Sequence, residues 1–182
     1  MFAARGYHAA RVDDVVKAAK TSHGTFYLYF SSKEDLFRAL AVDVAEKMVE
    51  LACELPDLSP GSGDTYRALH EWLERFDALY TRFGPMIRTW TEAEIVDSEM
   101  GKVGGDLVVQ FSRELESRLR GAAPDIDAGI AALAFVAMIE RSNYYVETRQ
   151  LQVDRVRMVA TLARVMHAGL YGTMPAHAAN PV

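Results

Sequence analysis

The stretch "KTSHGTFYLYF", Lys20 to Phe30, decides the fold. Four aromatic rings crowd into it, yet it opens with lysine, threonine, serine, histidine and glycine. This layout fits a short helix that turns a slim polar first turn outward and anchors itself by Phe26 and Phe30, which stand i, i+4 on one face. Ser22 supplies its N-cap. Just upstream, "ARVDDVVKAA" (residues 10–19) reads as another short helix, with Val12, Val15, Val16 and Ala19 as its inward stripe. A turn at Lys20 and Thr21 separates the two. Two short helices joined by a tight turn form a helix-turn-helix, whose second member enters the DNA major groove with its N-terminal residues on base edges. On that reading Ser22, His23, Gly24 and Thr25 approach bases, Tyr27 and Tyr29 offer hydroxyls to phosphates, and Lys33 clamps a phosphate as a point charge. The same pattern also describes an aromatic-rich helical hairpin that binds no DNA.

Downstream, "SSKEDLFRALAVDVAEKMVELACEL" (residues 31–55) makes one long helix, opened by a capping box in which Ser32 precedes Asp35 by three residues. "ELPDLSPGSGDT" (residues 54–65) holds two prolines, two glycines and two serines and reads as a connection. Beyond it the 3.6-residue period predicts helices over 65–83, 85–97, 103–121, 126–149 and 155–171, broken at Gly84-Pro85, at the glycine-rich 97–105, at 121–125 and at 150–154. No stretch alternates as a strand does, so the class is all-α. The expected organisation is a DNA-binding domain over 1–55, a helical ligand-binding and dimerisation domain over 56–172 and a loose tail over 173–182.

The chain has 182 residues, half of them hydrophobic, and a formal charge of -5. The charge is uneven: residues 1–40 carry six Lys or Arg against four acids, the remainder fourteen against twenty-one. That split points to a nucleic-acid-facing N-terminus and an acidic body that stays off DNA. The lone cysteine, Cys53, forms no internal disulfide, and the opening "MFAARGYHAA" lacks a secretory pattern, so a cytoplasmic protein is expected. The longest apolar run, Ile130 to Ile139, is half the roughly twenty residues of a membrane span. Five histidines show no metal-ligand spacing, and no nucleophile motif or phosphate loop is present. Neither a cofactor nor enzyme chemistry is expected.

In the second half, Ile130–Ile139 is apolar on every side, so one face needs cover from outside its own bundle. The last helix behaves alike. A homodimer interface is therefore expected around Phe135, Ile139, Met158, Leu162, Val165 and Met166, the alternative being a central helix buried in a monomer. A cavity for a small apolar effector is expected among Trp72, Phe76, Trp90 and Phe111 with Phe135, Met138, Tyr144 and Tyr145. The polar Glu140, Arg141 and Asn143 follow the apolar run and must be satisfied by each other, by the partner or by a ligand.

From Gly6 to Phe37, "GYHAARVDDVVKAAKTSHGTFYLYFSSKEDLF" closely resembles the DNA-binding domain of the TetR family of bacterial transcriptional regulators. The resemblance implies base or groove contacts by His23, Gly24 and Thr25, phosphate contacts by Tyr27, Tyr29 and Lys33, and backbone contacts near Arg11. It also implies a homodimer on a palindromic double-stranded operator, released by an effector. Three departures stand out. Lys20 sits where family members usually have glycine at positive φ, and the strain of about 1 kcal/mol is offset if Lys20 reaches a phosphate. Ala10 and Arg11 replace the usual hydroxyl entry to the helix. Only "MFAAR" stands where the family has a first helix, so the chain is expected to begin late in that helix. Taken at face value, that shortage leaves a rival: a helical ligand-binding or interaction protein that does not bind DNA.

Overall fold

The computed structural model describes residues 9–94, 98–123 and 125–172. Among them are seven helices and no strand: α1 Val12–Ala18, α2 His23–Tyr29, α3 Lys33–Cys53, α4 Thr65–Glu94, α5 Ser98–Leu119, α6 Ala128–Glu147 and α7 Arg155–Tyr171. The "MFAAR" segment and the tail from 173 lie outside the described residues. The chain is all-α, as its periodicity predicts. It forms two compact units, Met1–Leu51 with Ala78–Phe111 and Ala52–Asp77 with Ser112–Val182. Helices α3, α4 and α5 each contribute residues to both units.

In the first unit, Ala10, Phe37, Ala41 and Trp90 form a buried cluster, with Leu36, Ala45, Met86, Val103 and Leu107 packed against it. The helix-turn-helix closes on Val16 and Phe26, 6% and 4% exposed. Of the stripe expected on α1, Val12 and Val15 are half-buried and Ala19 is exposed, because α1 ends at Ala18.

The break expected at Gly84-Pro85 is absent, and helix already covers 98–105 of the break expected over 97–105. Helix α4 runs through Gly84 and Pro85. Proline lacks the N–H that would bond the Thr81 carbonyl and costs a helix about 3 kcal/mol. Burial of Tyr80, Gly84, Thr89 and Trp90 on either side holds the helix together across it. Helix α5 begins at Ser98 and absorbs Gly101, Gly104 and Gly105, at about 1 kcal/mol each relative to alanine. Val103 and Leu107, packed against the Trp90 cluster, offset that cost.

The second unit is built from heptad-like rows: Leu69, Trp72, Leu73 and Phe76 on α4, Leu115 and Leu119 on α5, Ala132, Phe135 and Ile139 on α6, and Val159, Ala163 and Met166 on α7 are all buried. Leu55 and Leu58, 2% and 1% exposed, pin the connection between α3 and α4 to this core. The Tyr171 hydroxyl donates to the Leu58 carbonyl, and Arg118 Nη2 donates to the Cys53 carbonyl at 2.9 Å. Beyond these anchors Gly61 and Gly63 adopt φ of +89° and +110°, where a side chain would meet nothing within 4 Å but would be strained. Asp127 and Asp154 cap α6 and α7, accepting from the N–H groups of Ile130 (2.9 Å) and Arg157 (2.8 Å). Arg155 joins two acids, donating to Asp77 at 2.6 Å and to Glu147 at 2.7 Å.

Helix α3 starts on a displaced capping box. Ser32 Oγ accepts from the Asp35 N–H at 3.1 Å, but the Asp35 carboxylate bonds the N–H and hydroxyl of Ser31, at 2.9 and 3.0 Å, rather than the Ser32 N–H. These bonds, the Ser31 N–H foremost, hold the Asp35 carboxyl below its ordinary range. A carboxyl whose folded pKa is depressed adds stability that is complete above its unfolded pKa and is lost as pH falls through the folded one. Asp35→Asn should therefore cost stability in urea denaturation at neutral pH, and the penalty should shrink as acid takes the pH down through the folded pKa of Asp35. A penalty independent of pH would mean the cap acts by shape alone.

Candidate nucleic-acid interface

The two short helices meet at a turn whose pivot, Lys20, has φ of 52°. The left-handed conformation that the sequence calls for is therefore present with a lysine in place. Thr21 N–H closes on the Val16 carbonyl at 2.9 Å, and Ser22 then opens α2 by accepting from the Thr25 N–H at 3.1 Å. The Ser22 and Thr25 hydroxyls also pair at 3.0 Å, so both side chains are held at the helix mouth.

His23, Gly24 and Thr25 are exposed, while Phe26 directly behind them is buried against Phe30, ring centroids 5.7 Å apart. Tyr27, Leu28 and Tyr29 are 57%, 81% and 75% exposed. This is the split expected of the segment, with the tyrosines outward and the phenylalanines inward. An added methyl at Gly24 would meet only Ser22 Oγ, at an ordinary 3.7 Å. The fold itself thus has room for alanine there. Arg11 N-caps α1 with no side-chain bond; its N–H donates to Asp14 at 3.2 Å instead. Lys33 lies 3.8 Å from Glu34, with its side chain 21% exposed.

One member of the tip has no mark in the sequence. Asp13, on α1, holds His23 Nε2 at 2.8 Å, and the imidazole lies near-parallel to the Tyr27 ring at 6.5 Å. With Nε2–H donated to the carboxylate, a neutral ring keeps Nδ1 as an acceptor. Ten residues separate the pair, a spacing without local periodicity; only the turn brings them together.

The residues expected in an effector cavity divide between the two units. Trp90 and Phe111 belong to the first unit and the others to the second. Trp72 and Phe76 are core residues with ring centroids 6.0 Å apart. Met138 and Tyr144 are half-buried and Tyr145 is exposed. Arg141 is also exposed, with its guanidinium over the rings of Tyr144 (5.1 Å) and Tyr145 (5.8 Å). Asn143 is buried, its Nδ2 donating to the Ile139 carbonyl at 2.9 Å. Two concavities lie elsewhere: one of about 440 Å³ lined by Ser142, Arg157, Met158 and Leu162 among others, and one of about 380 Å³ in the first unit.

Of the expected dimer residues, Phe135, Ile139, Met158 and Met166 are at most 7% exposed and already covered by their own chain. Leu162 is half-buried and Val165 is 52% exposed. The open stripe joins Val165, 52% exposed on α7, to three residues not expected there, Ile130 and Leu133 on α6 and Val156 on α7, at 70%, 57% and 73% exposed. The apolar run of α6 is therefore covered on one side only.

The geometry matches known regulators. A sequence profile described as "Bacterial regulatory proteins, tetR family" matches residues 1–40. The HTH-type transcriptional regulator EthR of Mycolicibacterium smegmatis is 30% identical over 173 residues, spanning 90% of this chain and 78% of that one. The chain belongs to the tetR family. This TetR-family member is a DNA-binding transcriptional regulator and not an enzyme. The HTH-type transcriptional regulator YdgC of Bacillus subtilis is 27% identical over 96% of this chain and 87% of its own. The HTH-type transcriptional repressor AcnR of Corynebacterium efficiens is 32% identical over 56% of each chain. A TetR-family regulator from Syntrophomonas wolfei shares the fold with a TM-score of 0.71 at 15% identity, over 96% of this chain and 91% of that one. Among the described residues no helix is long and apolar enough to cross a membrane.

Lys20→Gly should relieve the turn and raise stability by about 1 kcal/mol in thermal or urea denaturation, because glycine alone adopts positive φ without a Cβ penalty.

Proposed function

We propose that this regulator represses transcription as a homodimer, setting its two α2 tips into major grooves of a palindromic operator and leaving the operator when a small apolar effector binds. The observation that carries the reading is the tip itself: His23, Gly24 and Thr25 open to solvent on a buried Phe26 base, with more room at Gly24 than the fold needs. Tyr27, Tyr29, Arg11, Lys20 and Lys33 border that tip and suit phosphates, which position the protein, whereas the tip reads bases. Half-sites then lie about one helical turn, or a multiple of it, apart. AcnR, a repressor by its description, supports repression over activation. The open stripe on α6 and α7 supports dimerisation, since apolar residues so exposed on two neighbouring helices call for cover. An effector shifts the regulator only by its differential affinity for the bound and released conformers.

Gly24→Ala tests the tip. The variant should fold as stably as the parent yet bind the operator at least about ten-fold more weakly in a mobility-shift assay, one lost or blocked base contact being worth 1–3 kcal/mol. In the same assay Tyr27→Phe and Lys33→Ala should weaken operator and random DNA alike, while His23→Ala should chiefly change sequence preference. Unchanged operator binding by Gly24→Ala and His23→Ala together would sink the reading.

Pairing is tested by Leu133→Glu with Val165→Glu. Sedimentation should show monomers, and operator affinity should fall by about a hundred-fold or more as bivalent engagement is lost. A variant that remains dimeric would move the interface elsewhere.

A further inference from the structure

The first unit contains a groove that the DNA-binding role leaves unused. Helix α3 lines it with Val42, Ala45, Glu46, Val49 and Glu50, and α5 with Val103, Asp106, Leu107 and Gln110. Its volume, about 380 Å³, falls in the range of small-molecule sites. The two kinds of lining differ sharply. Five aliphatic side chains give it an apolar body, and Glu46, Glu50 and Asp106 place three carboxylates on it with no basic residue in the lining. Lys47 is drawn to Asp43 on the same helix, and Lys102, one turn before Asp106, does not line the groove. We propose that this groove binds an amphiphilic organic cation, a hydrocarbon body carrying one positive charge. A carboxylate or phosphate amphiphile would meet three like charges there, and a neutral hydrocarbon would leave them unused.

The groove also has a physical connection to the DNA-reading end of the same unit. Ala45, Val103 and Leu107 line it on one side and pack against the Trp90–Phe37–Ala41 cluster on the other, and that cluster includes Ala10, at the head of α1. A ligand that shifts these three side chains therefore presses on the packing that seats the helix-turn-helix. The assignment of this ligand as the effector rests on the regulator reading above; the binding site does not.

The test uses the full chain carrying Trp72→Phe, which leaves Trp90 as the sole tryptophan. Decyltrimethylammonium is titrated below its micelle concentration while Trp90 emission is followed, with decanol and decanoate as matched neutral and anionic chains. The cation should give a saturable change, bind about ten-fold tighter than decanol and lose that advantage as salt is raised. Decanoate should bind most weakly. The triple variant Glu46→Gln, Glu50→Gln, Asp106→Asn should bring the cation to the affinity of decanol. Val42→Trp, read by calorimetry, should weaken cation and decanol alike by filling the space, and circular dichroism checks that each variant is folded. Equal binding of cation and decanol by the parent, tight binding of decanoate, or a triple variant that holds the cation unchanged would overturn the proposal. Operator mobility shift is run alongside. Release by the cation from the parent but not from the triple variant supports groove and effector role together. Carboxylate-dependent binding that leaves the operator complex intact supports the groove and shows that its ligand is not the effector.

Discussion

Burial of Trp90 against Phe37 and Ala41 is the constraint on which the first unit rests. An indole removes some 150–250 Å² from water, worth roughly 4–6 kcal/mol at about 25 cal/mol per Å². That exceeds the cost of one proline in a helix, about 3 kcal/mol, so α4 continues past Pro85 to deliver Trp90 to its neighbours. The small residues Ala10, Ala41 and Ala45 let backbones come close enough for the indole to be enclosed. Because Ala10 stands next to Arg11, the N-cap of α1, the cluster also holds the start of the helix-turn-helix. Core packing and the aim of the recognition helix are thus one problem.

The parts of the molecule that were legible in the sequence are those governed by neighbours in the chain. The polar mouth and aromatic base of α2, the Ser22 cap, the strained turn at Lys20 and the connection after α3 all follow from residues within a turn or two of one another. Gly84-Pro85 and the glycines of α5 misled for the opposite reason. Their local preference is to break a helix, and tertiary burial of Trp90, Val103 and Leu107 decides against them. The His23–Asp13 contact was invisible because two helices and a turn must form before the side chains meet.

Amphipathic patterning likewise told which helices are apolar but not which side each turns inward. On α6, Ala132, Phe135, Ile139 and Asn143 face the core and Ile130 and Leu133 do not, a choice made by the packing of α6 on α7 rather than by composition. Aromatic residues are sorted by packing in the same way: Trp72 and Phe76 are buried in the second unit, while Tyr145 is exposed. Polar residues carried better information. Arg155, held by Asp77 and Glu147, fixes α7 to α4 and α6 with a geometry no apolar contact would specify.

The connection between α3 and α4 has a practical side. Leu55, Leu58 and the Tyr171 bond fasten one end of it, while Gly61 and Gly63 answer to torsion angle and to nothing around them. Closing a flexible loop of twice the length costs only about 0.6 kcal/mol more. The span from Ser59 to Asp64 is accordingly where a peptide tag or a fluorescent reporter domain can be spliced into the polypeptide with both helical bodies left whole.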